Sequence, residues 1–438
     1  MTERKRFKQL VRARMARTGE RYAAARRHII GAEADPVSQP AAPFIHFPGS
    51  IPAPTALRIL LANAGVRAPH TAAAFTEAMT FGIGGGIGAG MFSFHYAKED
   101  FSSFFVAGRH LWQDDVAWFD AVLDRFGIKA VVKESSGVKP AEAQLRELLG
   151  PGRPVVAWVD AASLAYRGMP ERWKGGAYHL LVVYAIDGTD AVVGDLADEP
   201  IRVPLAELTQ ARLRIKKFKC RLLALEPSRP KLDLRKLVRS GVSACVHGFT
   251  KAKMKNFTLD AFATWAERMH GSKAADSWDK IFPRGKHLFT GLRSIQQYVD
   301  YYYTGGGLCR PIFAEFLAEA GAALNDQTLT RASERYAELG RDWSALADAA
   351  LPEGMPGFRK PREMLARISE LYHSEGAAAA EEIRQGWVEL EASGTGVGED
   401  FPLGVAECDT LLRDLQARVK NLHRAEVDAL ALLEAGAT

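Results

Sequence analysis

At 438 residues, with 47% hydrophobic and 25% charged residues, the chain is long enough for two or three domains and has an ordinary globular make-up. No apolar run reaches the roughly 18 residues a membrane helix needs, and the basic N-terminus lacks the apolar stretch of a secretory signal. Four cysteines, Cys220, Cys245, Cys309 and Cys408, stand far apart. That spacing argues against a disulfide framework or a zinc cluster, and for a reducing cytoplasm.

The net charge of +5 is unevenly placed. Residues 1–31 hold ten Lys and Arg against two Glu, which leaves the rest of the chain slightly acidic. Apolar residues from Phe7 to Ile29 recur at helical spacing, which predicts a basic helical arm over 1–31. Such an arm can dock an acidic partner, touch an anionic surface or help oligomerisation. Partner docking fits its alternation of apolar and basic positions best, and no nucleic-acid motif accompanies it. Prolines at 36, 40, 43 and 48 predict a linker over 32–48.

An α/β domain is expected over 49–228. Thr55–Ala64 predicts a helix just after Pro54. The stretch Phe81–Gly90, FGIGGGIGAG, is too rich in glycine for a core helix or core strand and predicts a loop. Phe92, Phe94 and Tyr96 alternate as in a strand. Helices follow at Asp115–Phe126 and Pro140–Leu149. Strands are expected at Lys129–Glu134, Pro154–Asp160, His179–Ile186 and Ala191–Asp195, with Asp187-Gly188 as a hairpin turn and Arg221–Leu225 closing the sheet. From Leu232 onward the period is helical, with helices at 232–245, 256–271, 286–302, 310–324, 328–351, 360–391 and 404–435. This predicts an all-helical domain over 229–438. The fold class is therefore α+β, with an all-α second domain and a basic helix in front.

Several spaced motifs resemble the butirosin biosynthesis protein H N-terminal family. They are Thr55–Arg58, Phe81–Gly90 with its trailing aromatics, Gly108-Arg109, PVVAWVD at Pro154–Asp160, and the Gly176–Asp195 strand pair. The C-terminal half is similar to the helical domain that often follows it, through Asn256–Trp265, Trp278, GGGLCRPIFAEFLAEA at Gly305–Ala320, Arg335-Tyr336 and Trp343. The resemblance implies a papain- or C39-peptidase-like fold. It also implies transfer of an acyl or aminoacyl group from a carrier-protein thioester to a small-molecule amine, through a cysteine, a histidine and a carboxylate.

On this chain the resemblance makes His179 the histidine and Asp195 the carboxylate, with Asp198 as the alternative. The cysteine and the histidine before it fall on Pro52 and Ile51, neither of which is a nucleophile. Ser50 and Thr55 are the hydroxyls near that helix start, where N–H donors favour developing negative charge. Each of the remaining candidates has a bland reading beside the functional one. Gly84, Gly85, Gly86 and Gly88 form either an anion nest or a structural turn. The dinucleotide pattern Gly84-x-Gly86-x-x-Ala89 lacks a βαβ unit. Phe92 and Tyr96 line a pocket or pack in the core. Glu77 is a pocket residue or a solvated charge, and Arg109 an anion ligand or half of an ion pair. Gly306, Gly307 and Arg310 form an anion site at a helix start or a hinge. Cys309 and Cys245 read as packing residues.

No cofactor or metal is expected. The expected partners are an acidic acyl carrier protein or peptide, an amine acceptor and a second copy of the chain packed through helices, with neither membrane nor nucleic acid. Two functions compete, an acyltransferase lacking the family's thiol and a papain-like binder that has lost the chemistry, with a nucleic-acid or regulatory role driven by the basic arm as a weaker third.

Overall fold

The computed structural model describes residues 44–150 and 153–437. The basic arm over 1–31 and most of the expected linker lie outside the described residues. Residues 44–48 pack on the sheet: Phe44 stacks on Tyr184 at 5.2 Å, and His46 bonds the Tyr184 hydroxyl at 2.8 Å and the Ala197 carbonyl at 3.0 Å.

The N-terminal region is α+β. Helix α1 (Pro52–Asn63) starts three residues earlier than its sequence suggests, because Pro52 and Pro54 fit the first helical turn, where no N–H is needed. A short helix, α2 (Glu77–Ile83), leads into a long antiparallel hairpin of β1 (Ile87–Tyr96) and β2 (Phe101–Arg109). The FGIGGGIGAG stretch is thus no loop. Phe81–Ile83 ends α2, only Gly84–Gly86 turn, and Ile87–Gly90 begin a strand, all of them buried. The glycines are there because large side chains press on the backbone. A Cβ at Gly84 would strike Trp118, one at Gly85 would strike His110, and one at Gly86 would strike Phe313. Gly85 and Gly86 also hold positive φ.

The second sheet has six antiparallel strands in the order β3 (Ala130–Lys133), β8 (Leu222–Leu225), β4 (Val155–Asp160), β5 (Tyr178–Asp187), β6 (Asp190–Gly194), β7 (Ile201–Pro204). Its central strands read as continuous apolar runs because both faces are covered. One face packs with α1, and the other with Leu205–Arg214 and the helices at Pro356–Glu375 and Ala380–Glu399. Strand β7 and the Leu205–Arg214 helix carry no clear periodicity of their own and were not expected.

The C-terminal region is helical. Arg310–Leu324 and Gln327–Ala350 fall within a residue of their sequence-derived bounds. The expected 360–391 helix is two, broken at Gly376, whose φ of +52 ends the first. The expected 286–302 helix stops at Gln296 and continues as a π-turn over Gln297–Tyr301. No helix among the described residues is long and apolar enough to cross a membrane.

The two halves share one core. A single buried cluster runs from Ile51 and Leu57 through Phe104 and Trp118 to Trp265, Phe313 and Leu433. At its centre Arg310, fully buried, gives its Nε hydrogen to Glu426 at 2.6 Å, and the Trp343 indole donates to the same carboxylate oxygen at 2.7 Å. His110, folded under the glycine turn against Gly85 and Gly248, is a partly buried polar group. Burial pushes its pKa from 6.5 to about 4, and nearby Arg125, Arg109 and His247 push the same way. The unfolded chain therefore takes up this proton near pH 6.5, while the folded chain resists until about pH 4. Stability should fall as pH drops through that window, by roughly 3 kcal/mol from this group. Denaturant titrations at pH 7 and pH 4.5 should show the loss, and His110→Gln should make it smaller. Equal losses in both proteins would remove His110 as the cause.

Candidate functional site

The site lies where β5 and β6 meet the start of α1. His179 sits on β5 opposite Val159 of β4, and Asp195 follows the last β6 residue, just past the Val182–Gly194 pair. That near-diagonal placement lets His179 Nε2 reach Asp195 Oδ1 at 2.9 Å, with both side chains essentially unexposed.

The expected pair is therefore brought together. Burial would raise the Asp195 pKa, but His179 and Arg167 beside it hold its carboxyl well below the usual carboxylate range. An ionised carboxylate can only accept, so Nε2 carries the hydrogen and Nδ1 keeps its lone pair. Burial also lowers the His179 pKa against the pull of Asp195, which favours the neutral ring. Nδ1 is buried with no hydrogen-bond partner among the described residues. The ring stacks on Tyr303 at 5.2 Å, nearly parallel.

Asp195 has further support. Its Oδ1 accepts the Leu196 N–H at 2.8 Å, and its Oδ2 accepts from Tyr166 at 2.8 Å. Arg167 Nη1 lies 3.5 Å from Oδ2, its other nitrogen donates to the Tyr303 hydroxyl at 2.8 Å, and its guanidinium sits 3.9 Å over Tyr372. Sequence reasoning missed Tyr166, Arg167, Tyr303 and Tyr372. They come from a short 3₁₀ turn, the loop after the π-turn and a distant helix, so no local pattern links them.

His179 borders a cleft of about 750 Å³ whose wall includes Ile51, Pro52, Arg109, Phe92 and Tyr303. The start of α1 borders the same cleft as His179, and it presents Ile51 and Pro52 there. Ser50 and Thr55 are not in this wall. Thr55 donates to the Ile51 carbonyl at 2.7 Å and to Glu77 at 2.8 Å, and Ser50 borders a separate cavity of about 70 Å³. Asp198 is also outside the wall.

Glu77 is a partly buried cap of α1, supplied by another helix. Its Oε1 takes the Ser50 and Ile51 N–H groups at 2.9 and 2.8 Å, ahead of a helix whose own N-cap residue, Ile51, offers no side-chain acceptor. Burial raises its pKa, while the hydrogen bonds and Arg58 oppose the rise.

Of the other candidates, Phe92 and Arg109 line the cleft. Arg109 is paired with Asp115 at 2.5 Å. Tyr96 lies further out on the hairpin and is about half exposed. Gly84, Gly85, Gly86 and Gly88 are absent from the wall, being covered by protein, and Arg310 is spent on Glu426. Gly306 and Gly307 shape the loop beside the cleft, where Gly307 touches the Gly340 backbone. Cys309 does line the cleft, with φ +69. It is 1% exposed, and burial pushes its thiol up to about 12, with Arg310 and Arg109 opposing, so it is protonated at neutral pH. Cys245 is buried away from it, its thiol donating toward the Ile87 carbonyl. Among the described residues no cluster of His, Cys, Asp and Glu could hold a metal ion.

An antiparallel sheet and a helix start that frame a buried His–Asp pair define this as an α+β protein with a helical C-terminal region. Residues 53–196 match the family "Butirosin biosynthesis protein H, N-terminal", and residues 206–382 match the "Domain of unknown function (DUF4872)". The chain thus carries a butirosin biosynthesis protein H N-terminal domain over 53–196, followed by DUF4872 over 206–382. Among solved structures it is similar to a protein from Bacillus anthracis described as a C39-like peptidase. That alignment has 18% identity and a TM-score of 0.28, and it covers 44% of this chain and 96% of the other. No curated protein matches the chain.

Proposed function

We propose that the protein transfers an acyl or aminoacyl group from a thioester, with an acyl carrier protein as donor, to a small-molecule amine, without a covalent acyl-enzyme. The observation that carries this reading is the unpartnered Nδ1 of His179, locked in its basic tautomer by Asp195 at the wall of a 750 Å³ cleft. In this scheme Nδ1 takes a proton from the amine as its nitrogen attacks the thioester carbonyl. The C–S bond breaks, and the imidazolium returns the proton to the departing thiolate. Membership of the butirosin H N-terminal family supports the reaction class.

The test is amide formation from an N-acetylcysteamine thioester and a primary amine, followed as thiol release. His179→Gln keeps a polar group against Asp195 but offers no base, so the rate should fall by roughly a hundredfold or more with the fold intact. An unchanged rate would overturn the reading. The second reading, a binder without chemistry, is favoured by Ile51 and Pro52 at the helix start. Saturable binding of the thioester with no thiol release would select it.

A further inference from the structure

The cleft has a marked bias in its wall. Trp112, Phe105, Phe92 and Phe94 line it, and the last two stack at 6.0 Å with ring planes 4° apart. The series then leaves the cleft. Phe94 meets Tyr96 at 6.2 Å, and Tyr96 meets Phe101 across the hairpin at 6.0 Å. Phe92, Phe94 and Tyr96 alternate along β1, so they share one face of the strand. On that face Phe94, Tyr96 and Phe101 are 47–49% exposed, where a strand facing water would carry polar side chains.

Most charged groups of the same cleft are paired or matched in sign. Arg109 holds Asp115, Asp114 caps the following helix through the Ala117 N–H, and Arg221 holds Glu134 at 2.7 Å. Lys217 lies over the Tyr178 ring at 3.7 Å, with no carboxylate in ion-pair range among the described residues. Asp114, exposed and without a cation partner among the described residues, offsets Lys217, so the wall carries no net charge that would draw an ammonium group in.

We propose that the group bound here is an extended, uncharged aromatic or apolar acyl chain. Its reactive end lies by His179, and its body runs over Phe92 and Phe94 toward Tyr96 and Phe101. A cationic aminoacyl group finds no net charge here to hold it, so the aromatic face decides the preference. This deepens the thioester reading, on which it rests for the nature of the reactive end.

Calorimetric titration with three N-acetylcysteamine thioesters tests it: S-(2-naphthoyl), S-acetyl and S-(4-aminobutyryl). The naphthoyl probe should bind about tenfold or more tighter than the other two, since aromatic stacking adds to buried area. Phe94→Ala should weaken naphthoyl binding roughly tenfold and leave acetyl binding unchanged. Tyr96→Ala, about half exposed and outside the core, provides the same test should the first variant fold poorly. Equal affinities, a preference for the aminobutyryl probe, or naphthoyl binding indifferent to both substitutions would overturn the inference. Tight naphthoyl binding without thiol release would sink the transferase reading and keep this one. Turnover of the aminobutyryl thioester with no naphthoyl preference would do the reverse.

Discussion

A cysteine placed at Pro52 is expected to become the one fast-reacting thiol of this protein. The four native cysteines are all buried, so the background is low. Position 52 is the first residue of α1 and lines the same cleft as His179. A thiol there would gain two sources of acidity. The dipole of α1 favours the thiolate even though Pro54 lacks an N–H and Glu77 takes those of Ser50 and Ile51, and the free lone pair on His179 Nδ1 can take the proton. Losing proline at the first turn costs little, because its fixed φ is only a modest advantage there. At pH 6.5, iodoacetamide should modify Pro52→Cys roughly tenfold faster than the same thiol in the urea-unfolded chain. Adding His179→Gln should remove most of that advantage. Incubation with a thioester should leave an acyl adduct on Cys-substituted protein and none on the wild type, read by intact mass. A thiol at 52 that reacts no faster folded than unfolded would mean that the helix start and His179 do not form a working papain-like pair.

The second large effect concerns stability. Glu426→Ala should cost about 3–5 kcal/mol, because it strands the Arg310 guanidinium in a fully buried site and leaves the Trp343 N–H without its acceptor. The Leu308 carbonyl, 2.6 Å from Arg310 Nη1, compensates for only part of that charge. Replacing both partners with apolar residues, Arg310→Met with Glu426→Leu, should recover most of the loss, since neither charge is then left alone. Urea titrations of the three proteins would decide it. A Glu426→Ala protein within 1 kcal/mol of wild type would show that water reaches the pair.

What could be seen in the sequence follows from how local each signal is. Arg310–Leu324 shows itself by a glycine run before it, a proline at its start and helical spacing within. The strands β4, β5 and β6 show themselves as short apolar runs around Asp187-Gly188. The His179–Asp195 contact could be expected because a hairpin joins the two segments. The cage around Asp195 could not, because Arg167, Tyr303 and Tyr372 are brought together only by packing. The glycine stretch misled for a related reason. Gly84, Gly85 and Gly86 answer to Trp118, His110 and Phe313, which lie far along the chain, and not to a ligand. Glu77 gave no sign of its role either, since it caps a helix that precedes it by some twenty residues.

The shared core also sets a schedule for synthesis. Phe104 on the hairpin is covered by Trp265 and Trp278, at 4.9 and 5.1 Å. A ribosome adding about 5–20 residues per second delivers those tryptophans on the order of 10–30 s after Phe104. Throughout that interval the nascent hairpin carries apolar surface and no lid. A chaperone that shields aromatic strands has its window there, and a messenger cut short before Trp265 would release a product prone to clump.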